Sequence, residues 1–540
     1  MKGPAKMNLK ARQHEVMEWS LTGSGQCDNP YADIDVDVII RGDSGEWRVP
    51  AFWSGGMEWR VRFAPPVPGA YKWRSECSDS EQAGLHGVEG TLEAAPYTGD
   101  NPILKHGPLQ IADNKRHLRH ADGTPFFWLG DTWWMGFTKR LSWPEGFEEL
   151  AEDRLRKGFT LIQMVAGIYP DMPFGDPRGE SEAGLPYDEK LDRANPAWWD
   201  LADLKVRCLV RKGLVPCIVG CWGYYASIFG TEKMKRHWRH IIARWGAYPV
   251  LWCLAGEATM PYYREGDWER DPDKQRKQWT EIARYVHEID PMQRPVTIHP
   301  THSGREQVED DKVLDFDMLQ TGHDGRVAIK NSVTRIRESL AKTPDMPVVI
   351  GEVIYEGIMH DSDAEKERLV WWASMLSGAA GFTYGANGIW QLNEPGNPYG
   401  PSPHGGNWGN TPWNEAAQLP GSTHLGLSAR FMQRFDWQKM EAHPEWIEPQ
   451  VEEDDFYNYY AAGVPGEYRL IYFYALIVSW RKERPIVTQL EKGKQYSAFW
   501  FDPRTGIKTE IGLIEGDKDG KWEVPLTPEL KDYVLALHAK

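Results

Sequence analysis

The chain has 540 residues, a hydrophobic fraction of 41%, a charged fraction of 26% and a formal net charge of −16. That length predicts two or three domains rather than one core. The acidic balance argues against nucleic-acid binding, and the absence of an apolar run of about 18 residues argues against a membrane-spanning helix.

Met1–Ser20 is charged and has no apolar centre, so it does not read as a signal peptide; a cytoplasmic enzyme acting on imported oligosaccharides is the expectation, though a secreted protein trimmed of its signal would read the same. Residues 1–104 read as a β-sandwich. Ile34–Ile40, Trp47–Trp53, Trp59–Phe63 and Tyr71–Arg74 alternate with period two between Gly and Pro turns, and Pro65–Gly69 reads as a tight connection.

Residues 105–440 change character. Short apolar runs alternate with helical patterns, which predicts βα units and a (β/α)8 barrel, an α/β fold flanked by two all-β domains. The eight expected strands are Phe126–Gly130, Thr160–Val165, Val215–Val219, Val250–Leu254, Pro295–Ile298, Phe316–Gln320, Val348–Gly351 and Gly381–Tyr384. Residues 441–540 return to β patterning, with Tyr468–Phe473 and Tyr496–Phe501 as strands and Asp502–Gly506 as a hairpin turn.

Barrel active sites lie at the C-terminal ends of the strands, so residues there are the candidates. Glu257 follows the fourth strand and Glu352 the seventh. Cleavage of a glycosidic bond needs one carboxyl to protonate the leaving oxygen and another to attack or to activate water. Glu257 and Glu352 are the expected pair, with Glu356 as the rival for the seventh-strand role; carboxyls about 5 Å apart imply retention and a larger gap inversion. Asp131, Gln163, Tyr169, His299, His323, Tyr355, Glu356 and Asn387 are candidates for hydrogen bonds to sugar hydroxyls. Trp133, Trp134, Trp222, Tyr384 and Trp390 are candidates for stacking on sugar rings, in a chain carrying 27 Trp and 22 Tyr. Each also has a structural alternative: Asp131 as a turn cap, the histidines as satisfied core residues, the aromatics as core.

The six cysteines show neither a disulfide framework nor a metal-ligand spacing, and no phosphate-binding Gly-rich loop appears, so no cofactor or metal is expected. The expected partner is an oligosaccharide or polysaccharide substrate. Two other classes stay open: a non-catalytic carbohydrate-binding barrel, and a metal-dependent barrel enzyme in which His299, His302 and His323 would converge.

Phe126–Trp134 resembles the first-strand motif of the apiosidase-like barrels, the group of glycoside hydrolase family 140 and its relatives. Gly351–Gly357 resembles their seventh-strand signature, and Ser377–Trp390 their eighth, the most specific match. The resemblance spans the barrel and extends to the β-domains on either side. It implies an exo-acting or endo-acting glycoside hydrolase with the acid/base at Glu257 and the nucleophile at Glu352; a furanoside or an unusual sugar of a plant or bacterial cell wall, cleaved with retention, is the expected substrate. One departure stands out: the family's fourth-strand motif usually ends Gly-Asp, and here it is Gly256-Glu257.

Overall fold

The computed structural model describes residues 7–260, 271–325, 327–358, 362–403, 406, 408–450, 458–474 and 484–540. Its centre is a barrel of eight parallel strands. They are β1 Trp128–Thr132, β2 Leu161–Val165, β3 Val215–Val219, β4 Leu251–Cys253, β5 Val296–Thr297, β6 Asp317–Gln320, β7 Val348–Glu352 and β8 Gly381–Tyr384. The hydrogen-bonded order runs β5-β4-β3-β2-β1-β8-β7-β6. Ladder pairing is missing only between β5 and β6. Asp315 crosses that seam, its N–H donating to Val296 O (2.8 Å), and Thr297 Oγ1 donates to Phe316 O (2.8 Å).

Every residue of these strands is buried, as expected for a parallel sheet covered on its outer face by helices and filled within. The covering helices include α1 Glu145–Lys157, α2 Pro196–Lys212, α3 Thr231–Trp245, α4 Pro272–Ile289, α5 Val327–Leu340, α6 Ala364–Met375 and α7 Pro420–Met432. Local chemistry sets their ends. In α2, Asn195 caps the first turn by accepting from Ala197 N, Pro196 opens the helix, and Gly213 closes it at φ 86°.

The first strand lies two residues later than its apolar run suggests. Phe126 pairs instead with Leu118 in a small antiparallel sheet of Leu109–Ile111, Leu118–His120 and Pro125–Phe126. Trp128 then points into the barrel, where its ring meets Phe316 (5.7 Å between centroids) and its Nε1 donates to Thr383. Period-two alternation sends Leu129 and Asp131 the other way, towards the helices.

The N-terminal sandwich packs a five-stranded sheet (Met7–Arg12, Glu89–Ala95, Gly69–Cys77, Val36–Gly42, Gly45–Pro50) on a three-stranded one (Met17–Thr22, Glu58–Phe63, Phe52–Gly55) around its own core. Arg62 joins it to the barrel, donating to Asp203 (2.6 Å) and to Arg244 O (2.7 Å) with both charged side chains buried. The C-terminal domain, a six-stranded and a three-stranded sheet, has no separate core. Phe501 stacks on Phe431 of α7 at 3.9 Å, and Arg368 of α6 holds Asp532 through two bonds of 2.7 and 2.8 Å. Among the described residues no helix is long and apolar enough to cross a membrane.

Candidate active site

Two acids and an amide meet at the C-terminal mouth of the barrel. Glu257 sits four residues past the end of β4 at φ 42°, a left-handed conformation that costs a side-chain-bearing residue about 1–3 kcal/mol and concentrates at functional sites. Gly256 makes the placement feasible. A Cβ there would lie 2.2 Å from the Trp222 ring, so only glycine lets this indole pass over the backbone and donate its Nε1–H to Glu257 Oε2 (3.2 Å). Glu352 is the last residue of β7. The β6–β7 register slips between Leu319 and Gln320, so Gln320 pairs with Glu352. Such an irregularity re-aims a side chain. Here Gln320 Nε2 reaches Glu257 Oε1 at 3.0 Å and Glu352 Oε1 at 3.2 Å, one amide group contacting both acids.

Two histidines bracket Glu352. His323 Nε2 lies 3.0 Å from its Oε1, and His299 Nε2 lies 3.1 Å from its Oε2, within ion-pair reach though off the angle of a good hydrogen bond. The other ring nitrogens define the protonation. His299 Nδ1 accepts from Glu257 N (3.4 Å), which leaves its proton on Nε2, facing Glu352. His323 Nδ1 faces Val353 O (2.8 Å), which only accepts; with a carboxylate at Nε2, the geometry suits the doubly protonated ring.

The electrostatics separate the two acids. Burial first, and then the charge of Glu352, push Glu257 up to about 7. Burial also opposes ionisation of Glu352, but the N–H that His299 turns to it and the bond and charge of His323 outweigh it and hold Glu352 well below the usual carboxylate range. Burial pulls His323 down, yet its bond to Glu352 and that carboxylate's charge win and raise it.

The acids open into a pocket of about 400 Å³, a volume that takes in the open solvent at its mouth. Of the residues expected from the sequence, Trp134, Trp222, His323, Tyr355 and Trp390 line it with Glu257 and Glu352. His299 is wholly buried beneath, edge-on to Trp134 at 5.5 Å. Gly385 admits Tyr355, since a Cβ there would lie 2.1 Å from its ring.

Other candidates do not line this pocket, for definite reasons. Asp131 points outward between strand and helix, where it pairs with Arg154 of α1 and accepts from Trp133 Nε1 (2.7 Å); both partners are fully buried, so neither Asp131 nor Trp133 faces a sugar. Tyr384 points outward in the same way, and its OH donates to Glu356 Oε2 (2.6 Å). Glu356 also accepts from Gly421 N (3.0 Å), which ties the loop after β7 to α7; it is a strut and not a second nucleophile candidate in the pocket. Gln163 points inward but below the floor, donating to Gly351 O (2.9 Å). Asn387 joins two loops through Gly357 O and Thr411 Oγ1, and Tyr169 lines a neighbouring pocket with Met172 and Tyr225. His302 is exposed, so the three histidines do not converge. The sequence places Gln320 with His323 on the rim after the sixth strand, without linking it to either acid, and singles out neither Asp171 nor Trp408. Gln320 carried a signal, as a polar residue ending an apolar strand; the other two stand in irregular loops.

Residues 112–439 match the family model described as "Apiosidase-like, catalytic domain", which covers more than half of the chain. The chain belongs to the apiosidase-like family. Around this apiosidase-like barrel, residues 10–78 match a domain of unknown function, DUF5060, and residues 452–538 match a model named for a collagen-binding domain of a collagenase.

Solved structures carry the same fold. One described as a glycoside hydrolase is 23% identical over 82% of this chain and 98% of its own, with a TM-score of 0.64. A glycoside hydrolase family 5 structure from Bacteroides vulgatus ATCC 8482 is 21% identical over 80% and 93%, with a TM-score of 0.66. Another Bacteroides vulgatus ATCC 8482 structure assigned to the glycoside hydrolases is 18% identical over 98% and 100%, with a TM-score of 0.69, so all three parts of the architecture recur together. No curated protein matches the chain. Family and fold together make this apiosidase-like protein a glycosidase.

Proposed function

We propose that the protein hydrolyses O-glycosidic bonds of plant or bacterial cell-wall glycans with retention of anomeric configuration, Glu257 serving as acid/base and Glu352 as nucleophile. The observation that carries this reading is the shared amide of Gln320. Both Oε1 atoms contact one nitrogen, so they are separated by no more than the sum of 3.0 and 3.2 Å. So close an approach of one oxygen pair favours the roughly 5–5.5 Å between the carboxyl groups of retaining enzymes over the roughly 6.5–9.5 Å of inverting ones.

The chemistry follows from the two environments. Glu257, kept protonated by burial and its anionic neighbour, donates its proton to the leaving oxygen. Glu352, kept ionised by two histidines, attacks the anomeric carbon; the C–O bond to the leaving group breaks and an ester to Glu352 forms. Glu257, now a carboxylate, takes a proton from water as that water attacks the same carbon and frees Glu352. Trp134, Trp222 and Trp390 supply apolar faces for the sugar ring.

The test is a screen of aryl glycosides and cell-wall oligosaccharides with wild type, Glu257→Gln and Glu352→Gln, following product anomers by NMR. Retained configuration, with turnover lost in both variants, is the expected result. An inverted product overturns the mechanism, full activity in either variant overturns that residue's role, and binding without turnover across the panel favours a carbohydrate-binding protein.

A further inference from the structure

Asp171 is a third carboxylate in the pocket that the hydrolytic steps leave unused. It stands beyond β2, 6% exposed, at φ 53°. Two residues from the loop after β8 hold it there. Trp408 Nε1 donates to its Oδ2 (3.2 Å), and Tyr399 OH donates to the backbone carbonyls of Pro170 (3.0 Å) and Asp171 (3.3 Å). Tyr399 is in turn clamped by Arg178, whose guanidinium lies 4.7 Å from the ring centroid. A nearly buried carboxylate in a strained backbone conformation, braced by a second loop and opening on the acid pair, has the properties of a preset hydrogen-bond acceptor.

We propose that Asp171 is the specificity-determining residue of this glycosidase: it accepts hydrogen bonds from hydroxyls of the sugar held at the acid pair, and it restricts that position to uncharged sugars. The proposal rests on the hydrolytic reading of the same pocket. A hydroxyl donates to a carboxylate through a charge-assisted bond, among the stronger kinds. A uronic acid would instead bring a further carboxylate beside the anionic Asp171 and Glu352, and like charges so placed are disfavoured. The cation in the described lining, His323, is already engaged by Glu352. The charge of Asp171 also reaches Glu257, helping to raise it, so the residue leaves a mark on the pH profile as well as on recognition.

The experiment compares wild type, Asp171→Asn and Asp171→Ala on the neutral glycoside that the screen returns, on its singly deoxygenated congeners and on the matching uronide. For Asp171→Ala, kcat/KM on the parent sugar is expected to fall about 100-fold, with little further loss on the one congener that lacks the bonded hydroxyl. Wild type is expected to turn over the uronide at least about 100-fold less well than the neutral sugar, and Asp171→Asn to narrow that ratio about tenfold. In Asp171→Asn the alkaline limb of the pH profile should move to lower pH, a shift that a purely structural role would not produce. Losses equal on all congeners, or a uronide hydrolysed as well as the neutral sugar, overturn the proposal. If wild type turns over nothing in the panel, it is the hydrolytic reading that fails. Asp171 is then read by saturation-transfer NMR with neutral monosaccharides, where weaker transfer in Asp171→Ala supports its contact, and equal transfer or none in either protein overturns it.

Discussion

Arg154 and Asp131 form an ion pair in which neither side chain is exposed to solvent. Removing one partner of such a pair strands a buried charge and costs about 3–5 kcal/mol. Asp131→Asn is therefore expected to lose about that much stability in urea denaturation. A hydroxyl-binding Asp131 would give the opposite pattern, a raised KM with stability intact.

The two acids predict the pH profile of kcat/KM. In the proposed mechanism Glu257 carries a proton, and it is raised to about 7, so activity should fall as pH rises through about 7. Glu352 must be ionised and is held low by its histidines, so the acid limb should lie below the usual carboxylate range. His323→Gln removes one of those supports and should move the acid limb to higher pH. An unmoved acid limb would mean that His323 does not support the ionised nucleophile.

Glu367 on α6 is fully buried, and neither carboxyl oxygen has a hydrogen-bond partner among the described residues. Burial first, then the charges of Glu356 and Asp363, raise it well above the usual range. The unfolded chain gives up this proton at the ordinary value while the folded chain keeps it, so stability falls as pH rises between the two values. Glu367→Gln abolishes the loss. Its stability relative to wild type should increase between pH 4 and pH 8 by at least about 1.4 kcal/mol, the free energy of a tenfold change in proton affinity. Thermal or chemical denaturation at both pH values measures it, and a difference that does not change with pH would refute the assignment.

The C-terminal domain shares its packing with the barrel through Phe431, Phe501, Arg368 and Asp532. A chain ending at residue 440 would expose Phe431 and leave Arg368 without its carboxylate. Such a truncation is expected to be insoluble or to unfold at markedly lower temperature than the full chain, as solubility and calorimetry would show. A truncation with unchanged melting would mean that the barrel does not depend on this packing.

The barrel was legible because its strands are short apolar runs separated by helical periods, and Glu257 and Glu352 stood out as acids at the ends of such runs. Register was not legible. A displacement of two residues in β1 moves Asp131 from the expected rim into the strand and turns it outward, towards a helix arginine that no local pattern announces. The same alternation of faces turns Tyr384 away from the pocket. Asp171 and Trp408 are far apart in sequence and lie in loops without periodicity, so only the folded chain brings them to the same pocket.

β6 pairs with β7 on one side, while its other side faces the seam with β5. Gln320, which touches both acids, is the last residue of that strand. The contact that spans the carboxylates therefore rides on one of the two staves that are laddered on a single side. Compliance at this stave would let the gap between the acids breathe as, in the proposed mechanism, one of them becomes an ester and then a free carboxylate again. Amide hydrogen exchange faster at Leu319–Thr321 than at Ile350–Glu352 would record that give, and equal protection would mean the gap is rigid.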